Sequence, residues 1–260
     1  MLRNILHIIL YSLILVGMVC LIGFSARHQH HKPCSNVNIN IRSNSGNFFI
    51  HNAEIRNSII GQFDSLENRT LSPNIMSELH EFISNNPYVS KANVYRTVHG
   101  KIGIDIMLRD PIIRIVNSRN QSFYIDRDGY MFPLSDQHTA RVMIATGHIA
   151  APFIPGFHVT DTIAGGQTDK HLSGLFDLAG FIDSESFWKA FIDHIYVTAD
   201  GKYELTPRNA AHTIQFGNAN QIEHKFRKLK LFYIGNLAQR GWHYYRRINL
   251  EFNNQVICSK

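Results

Sequence analysis

Residues 86–111, NPYVSKANVYRTVHGKIGIDIMLRDP, contain two consecutive runs in which nearly every second side chain is apolar. The apolar residues stand at even positions in both runs, which are separated by His99-Gly100. This period of two predicts a β-hairpin with one buried face. Because residues paired across a hairpin share a face, the connecting loop must contain an odd number of residues. We predict the loop His99-Gly100-Lys101, with Val94 paired to Ile106 and a positive φ at Gly100.

The residues before this hairpin predict one strand and two helices. Residues 37–41 alternate as a first strand. A short helix is predicted from Asn52, as its cap, to Gly61, as its stop. A second helix begins at Ser72-Pro73, since proline suits the first helical position, and ends by Asn86. Its apolar face consists of Ile75, Leu79, Phe82 and Ile83. The order β-α-α-β-β predicts a compact module whose helices cover the apolar face of the sheet.

The chain after Pro111 predicts mainly antiparallel strands. FYIDRDGYMFPL indicates a hairpin with a two-residue Asp128-Gly129 turn, which pairs Ile125 with Phe132. Asp126 and Asp128 also resemble the start of a calcium-binding loop. The later acidic ligand of such a loop is missing, and turn chemistry explains both aspartates.

The last third of the sequence predicts another turn, two helices and a final strand. The turn is Asp200-Gly201, and the first helix spans residues 171–181. Asn220-Gln-Ile-Glu223 predicts a capped second helix that ends at Gly241. Its apolar face consists of Ile222, Phe226, Leu229, Tyr233 and Leu237. Its basic side chains are expected to be solvated, namely Lys225, Arg227, Lys228 and Lys230. The final strand has Ile248, Leu250 and Phe252 on one side and Arg247, Asn249 and Glu251 on the other.

The beginning of the chain predicts a membrane anchor. Residues 5–24 have only three polar interruptions and no charged side chain, and a helix of about 20 residues spans about 30 Å, the thickness of a bilayer core. A cleaved signal peptide is the alternative, although its apolar region would be unusually long. We predict a cytoplasmic tail over 1–4, a transmembrane helix over 5–26 and a linker over 27–36, with the remaining chain outside the cytoplasm.

The composition gives no sign of catalysis or of a cofactor. No Gly-x-Ser-x-Gly, HExxH or CxxC motif is present among the 15 histidines and three cysteines. His28, His30, His31 and Cys34 could be metal ligands, but a flexible interfacial segment explains them better. The net charge of +6 comes from scattered basic residues and does not indicate nucleic-acid binding. The sequence alone does not determine whether Cys34 and Cys258 form a disulfide.

The order of these parts resembles the FtsQ/DivIB family of bacterial cell-division proteins. The first module is similar to the POTRA domain of that family through Asn86-Pro87-Tyr88-Val89, Ala92, Val94, Arg96 and Arg109-Asp110-Pro111. The second domain continues the resemblance through Phe123-Tyr124-Ile125-Asp126, Asp128-Gly129, Ala145-Thr146-Gly147 and Ile248-Asn249-Leu250-Glu251-Phe252. It implies an α+β fold, with a POTRA-like domain over 37–110 and a mainly antiparallel β domain over 111–260 that ends in a helix and a strand. Asn249 and Glu251 stand where the family often has an acidic and a basic residue.

The resemblance implies a non-enzymatic membrane scaffold of the divisome at the division septum. Its partners would be small single-pass proteins, FtsB-like and FtsL-like, which add a strand near the end of the β domain. An exposed edge strand supplies the unpaired backbone groups for such an interaction. The partner-binding residues expected beside this edge are Trp242, Tyr244, Tyr245, Arg247, Asn249 and Glu251. The alternative is a POTRA-containing envelope protein that acts in outer-membrane protein insertion or secretion.

Overall fold

The computed structural model describes residues 7, 11–20, 34, 36–64, 66, 72–97, 100–161, 170–237, 241–242, 244–253 and 255–260. It divides into two compact units, the first comprising Met1–Arg42 with Ile50–Leu108, and the second Ser43–Phe49 with Arg109–Lys260. Residues 11–20 are helical. No helix within the described ranges has both the length and the hydropathy that crossing a bilayer requires. Most of the predicted anchor over 5–26 lies outside the described residues, and so does most of the linker over 27–36.

The first unit has the predicted order β-α-α-β-β. Its elements are β1 (Val37–Arg42), α1 (Asn52–Phe63), α2 (Pro73–Ser84), β2 (Val89–Arg96) and β3 (Ile102–Leu108). β3 is the central strand, parallel to β1 and antiparallel to β2. The predicted apolar faces meet in one core, where Leu79 and Ile83 of α2 lie with Ile104 and Ile106 of β3. Cys34 is buried in this core as a free thiol, and Cys258 is free as well.

The helix ends of this unit are only partly as predicted. Ser72 caps α2, since its Oγ accepts the backbone N–H of Ile75 at 3.4 Å. The prediction that Asn52 caps α1 is wrong, because His51 occupies the cap position and its backbone N–H donates to the Glu54 carboxylate at 3.1 Å. The predicted stop at Gly61 is also wrong, since α1 continues to Phe63.

The hairpin of β2 and β3 has the predicted odd-numbered loop but a different register. Val94 pairs with Ile104, two residues before the predicted partner Ile106. Thr97 determines this register, because its backbone N–H donates to the Lys101 carbonyl at 2.8 Å and its Oγ1 accepts the Lys101 N–H at 3.1 Å. The even-numbered residues still share the buried face, since a shift of two preserves the alternation. The loop closes with a positive φ of 79° at Gly100, as predicted.

The described residues of the second unit form a nine-stranded mixed sheet and three α-helices. The strands are β4 (Pro111–Val116), β5 (Ser122–Asp126), β6 (Met131–Pro133), β7 (Met143–Gly147), β8 (Ile192–Val197), β9 (Tyr203–Pro207), β10 (Thr213–Gly217), β11 (Arg247–Asn249) and β12 (Ile257–Ser259). The helices are α3 (Lys170–Ser184), α4 (Ser186–Phe191) and α5 (Ile222–Phe232), which continues as a π-helical turn, Tyr233–Leu237. The spatial order of the strands is β12-β11-β10-β9-β8-β7-β4-β5-β6. Five of the eight pairings are antiparallel, so the predicted α+β class with an antiparallel-rich sheet is confirmed.

The helices and the inward side chains of the strands form one core. Leu175 and Ile182 of α3, Trp188 of α4 and Phe226 of α5 belong to the same buried cluster as Ile195 of β8. Of the apolar stripe predicted for α5, Phe226, Leu229 and Tyr233 belong to the core and Ile222 packs against it. The helix predicted over 171–181 and the Asp200-Gly201 turn are both present, the turn with a φ of 75° at Gly201.

The hairpin of β5 and β6 differs from the prediction by one residue. Tyr124, rather than Ile125, pairs with Phe132. The turn has three residues because Asp126 closes it, with its carboxylate accepting the backbone N–H of Tyr130 at 2.8 Å. Both faces of this hairpin are buried, so alternation of apolar residues could not distinguish the two registers. The side chain of Asp126 is also paired with Arg109 at 2.6 Å, and its pKa is raised by burial.

The predicted capping box at the start of α5 is wrong. Gln221 stands at the cap position with a φ of 54° and makes no side-chain capping bond. Glu223 instead accepts from Arg227, one turn later, at 2.8 Å. The described helical residues end at Leu237, and residues 238–240, which precede the predicted stop at Gly241, are outside the described part of the chain.

Candidate partner-binding edge

The two ends of the nine-stranded sheet, β6 and β12, are its edge strands. At the β6 end, Met131 donates its N–H to the Phe157 carbonyl and accepts from the Gly156 N–H, both at 2.9 Å. Pro133 follows in the same strand and has no N–H to offer. The β6 edge is therefore covered by neighbouring chain and ends in a residue that cannot extend the ladder.

The strand predicted as the partner edge, β11, is not an edge. It pairs in parallel with β10 on one side and antiparallel with β12 on the other. β11 ends at Asn249, whose side-chain Oδ1 accepts the backbone N–H of Glu251 at 2.8 Å and so turns the chain. Phe252, predicted to lie on the same side of the strand as Ile248 and Leu250, is consequently 47% exposed, whereas those two residues are buried. The chain then returns as β12, which replaces β11 at the end of the sheet.

One feature of the sequence indicates β12, although it is not part of the alternation that predicted the preceding strand. Asn253-Asn254 are typical turn residues, and the apolar run Val256-Ile257-Cys258 follows them directly. A short apolar run after a turn indicates a further strand. The residues Ile257, Cys258 and Ser259 were not among those predicted for the site.

The direction of the backbone groups of β12 follows from the pairing of β11. The Leu250 N–H donates to Gln215 of β10 at 2.9 Å, so by alternation Arg247 and Asn249 direct their backbone groups toward β12. Their partners across the ladder are Ser259 and Ile257. The backbone N–H and C=O of Cys258, between these two, consequently point away from β11. Neither group has a hydrogen-bond partner within the part of the chain that the structure describes.

Two of the predicted residues lie on the solvent-facing side of the sheet next to β12. Arg247 is exposed and stands opposite Ser259, and Asn249 stands opposite Ile257. The Asn249 amide donates to the Gln215 side chain at 3.2 Å, which orders this row of side chains. Ile257 is 45% exposed. This face offers one cationic and one apolar side chain beside the open edge.

The three predicted aromatic residues are each at least partly exposed and each packs against another aromatic ring. The Trp242 ring packs against Phe191 at the end of α4 and Tyr233 at the end of α5, with centroid distances of 5.9 and 5.3 Å, and so covers part of the core. Tyr245 packs against Phe232 in the same way. Tyr244 packs edge-on against Tyr245, with ring centroids 4.8 Å apart, and its ring centroid lies 4.6 Å from the ammonium group of Lys260, the residue that follows β12.

Glu251, the last of the predicted residues, is engaged within the second unit. Its carboxylate pairs with the Lys202 ammonium at 3.1 Å, and this bond is the main reason why the pKa of Lys202 is raised. Its side chain also lies over Gly217, where an added Cβ would come within 2.7 Å of the Glu251 Cγ. Glu251 therefore contacts the end of β10 and a lysine of the preceding hairpin.

Two lysines of α5 donate hydrogen bonds to backbone carbonyls at the ends of β10 and β11. Lys225 is buried, which contradicts the prediction that it is solvated, and its Nζ donates to the carbonyls of Phe216 and Asn218 at 3.0 and 2.8 Å. Lys228 donates to the carbonyls of Leu250 and Phe252 at 3.0 and 2.6 Å. Burial lowers the pKa of both lysines. These bonds satisfy carbonyls at the ends of β10 and β11 that the ladder leaves unpaired.

Each of the two units matches a known protein family. Residues 32–107 match a POTRA-like domain, and residues 110–259, more than half of the chain, match the model described as FtsQ/DivIB, C-terminal related. No match was found among the curated proteins searched. The chain therefore belongs to the FtsQ/DivIB family, a family of non-enzymatic cell-division scaffolds.

Proposed function

We propose that this protein is a membrane-anchored scaffold of the bacterial divisome that binds small single-pass division proteins by strand addition to β12. Residues 5–26 provide the anchor in the cytoplasmic membrane, and the two folded units lie on the periplasmic side. FtsB-like and FtsL-like proteins are the partners, and the complex links early and late division factors at the septum. Family membership supports the scaffold role.

The open edge of β12 is the observation that carries the proposal. A partner strand gains backbone hydrogen bonds at the outward N–H and C=O of Cys258, which have no partner in the described chain. β6, the opposite edge of the same sheet, has these groups covered by residues 156 and 157. Strand addition is therefore directed to one end of the sheet.

The side chains beside β12 select the partner. An added strand places alternate side chains next to Ile257 and Ser259, on the face that also carries Arg247 and Asn249. Tyr244 lies near Lys260 at the end of the strand. Trp242, Tyr245 and Glu251 support this region through packing and the ion pair with Lys202.

A pair of substitutions at Cys258 tests strand addition. Cys258→Pro removes the outward N–H without removing a bond to β11, whereas Cys258→Ala alters the side chain and keeps the N–H. We expect full-length Cys258→Pro to accumulate in membranes but fail to capture the FtsB-like protein of the same organism. Cys258→Ala should capture it as wild type does. Equal capture by the two variants would count against strand addition at this edge.

Localisation separates the divisome from the alternative envelope function. A fluorescent fusion that is bright outside the cytoplasm should form a midcell band before constriction, and depletion should block division. An even envelope signal with normal division after depletion would instead favour a POTRA-containing protein of outer-membrane insertion or secretion.

A further inference from the structure

We propose that a cavity in the second unit binds a small ligand that carries a phosphate group. The cavity has a volume of about 390 Å³, within the range of about 300–1,000 Å³ that is usual for small-molecule sites. Its lining includes Ser45, Asp110, Arg141, Asp183, Lys189 and Arg208. The scaffold function does not require this cavity, and the two proposals stand or fall separately.

The carboxylates of the cavity are already neutralised. Both oxygens of Asp183 are occupied, since Oδ1 accepts from Lys189 at 2.6 Å and Oδ2 from Arg127 at 2.8 Å. Arg127 also pairs with Asp110 at 3.4 Å. The side chain of Asp183 is 6% exposed, so these two cations rather than water stabilise its negative charge. The two acidic side chains therefore do not repel an incoming anion strongly.

The basic side chains of the cavity are not all committed. Arg141 is exposed, lines the cavity, and makes no hydrogen bond or ion pair with the described residues. Arg208 donates to one carboxylate oxygen of Asp193 through two N–H groups, at 2.9 and 3.1 Å, but both side chains are more than half exposed, so solvent screens this ion pair and an anionic ligand can compete for the guanidinium. Lys189 retains donors beyond the one directed to Asp183.

A chain of oriented hydrogen bonds adds a neutral donor. The Asn47 amide nitrogen donates to the Ser45 Oγ at 2.7 Å, which leaves the Asn47 Oδ1 to accept from the His138 Nε2 at 2.8 Å. The hydroxyl hydrogen of Ser45 is not used in this chain and can be donated to a ligand. Thr139 provides a further hydroxyl in the lining.

The cavity has basic and hydroxyl side chains that can donate further hydrogen bonds, while its two carboxylates are paired with cations. These properties match an anion with several acceptor oxygens. A phosphate group can accept hydrogen bonds from several donors at once and pairs well with guanidinium groups. The volume exceeds that of a bare phosphate ion, so the ligand is a phosphate ester of a small polar molecule. A soluble ester and the headgroup of a phospholipid share this chemistry.

The test is calorimetric titration of glycerol 3-phosphate into the full-length protein in dodecyl maltoside micelles, which carry no phosphate group. Two variants are compared with wild type, Arg141→Gln and Arg119→Gln. Arg119 is exposed in the turn between β4 and β5 and does not line the cavity. Each variant removes one positive charge, so a difference between them reports the cavity rather than general electrostatics. Thermal unfolding of each protein verifies that the fold is retained.

We expect saturable binding to wild type and to Arg119→Gln, and an affinity lower by about tenfold or more in Arg141→Gln, since bonds to charged groups are strong. No saturable binding to wild type, or equal affinity in the two variants, would overturn the proposal. Nanodiscs that contain phosphatidylglycerol identify the source. Loss of glycerol 3-phosphate binding there indicates the lipid headgroup as the ligand, and unchanged binding indicates a soluble ester.

Discussion

The two edge strands of the nine-stranded sheet have the same length of three residues but opposite surroundings. β6 is covered by residues 156 and 157 and contains Pro133. β12 has the outward backbone groups of Cys258 without a partner in the described chain, and its neighbour β11 is fixed by Lys228. The chain that follows a strand, rather than the strand itself, therefore determines whether the outward backbone groups of an edge are covered. Natural sheets usually protect their edges, and the open backbone groups of β12 are the reason why strand addition is proposed at this edge.

The largest expected effect tests whether β11 is an interior strand. Ile248 is fully buried, so Ile248→Ala should lower the free energy of unfolding by about 2–5 kcal/mol, through lost burial and the cavity left behind. Ile257→Ala, in the exposed edge strand, should change it by no more than about 0.5 kcal/mol. Urea denaturation of both variants makes the comparison. Similar losses in the two variants would contradict the placement of β12 outside β11.

A second prediction concerns the buried lysine below the edge. Lys225→Met keeps the aliphatic stem but leaves the carbonyls of Phe216 and Asn218 without their donor. The expected loss is about 1–3 kcal/mol of unfolding free energy, the cost of unsatisfied buried groups. Lys230→Met, on the exposed side of α5, is the matched control and should be near neutral. If the two lysines behave alike, Lys225 does not hold the end of β10.

A smaller effect is expected from pH at the centre of the same sheet. Burial lowers the pKa of His194 below its ordinary value of 6.5, and its Nε2 lies 2.9 Å from the Thr146 hydroxyl. Between the lowered pKa and 6.5, the unfolded chain binds more protons than the native protein, so stability rises with pH in this window. As pH falls below 6.5, the native protein should lose stability. Urea denaturation at pH 7.5 and 5.5 should show a smaller loss for His194→Gln, and an equal loss would contradict this assignment.

Local sequence patterns predicted the first unit well, because one face of its sheet is buried and the other is exposed. The alternation around His99-Gly100 required an odd loop, and only the bonds between Thr97 and Lys101 determined which odd loop forms. In the second unit, both faces of β5 and β6 are buried, so the alternation carried no register information there.

The candidate site was less predictable, because its nature depends on the order of strands. Arg247 and Asn249 were correctly expected on one face of a strand, but no local pattern reveals that β11 has a neighbour on each side. The capping bond of Asn249 to Glu251 shortens β11 and allows the chain to return as β12. Lys225 was expected in solvent because a charged side chain is rarely buried. Its three acceptors belong to Phe216 and Asn218 at the end of β10, nine and seven residues earlier in the chain, and no periodic pattern marks them.

Amide hydrogen exchange of the full-length protein, with and without the proposed FtsB-like partner, tests the central claim most directly. In the free protein, the Cys258 amide should exchange much faster than those of Ile257 and Ser259, which face β11. On partner binding, the Cys258 amide should become protected, while the Met131 amide of β6 is protected in both states. A complex that forms with the Cys258 amide still exchanging rapidly would contradict strand addition at β12.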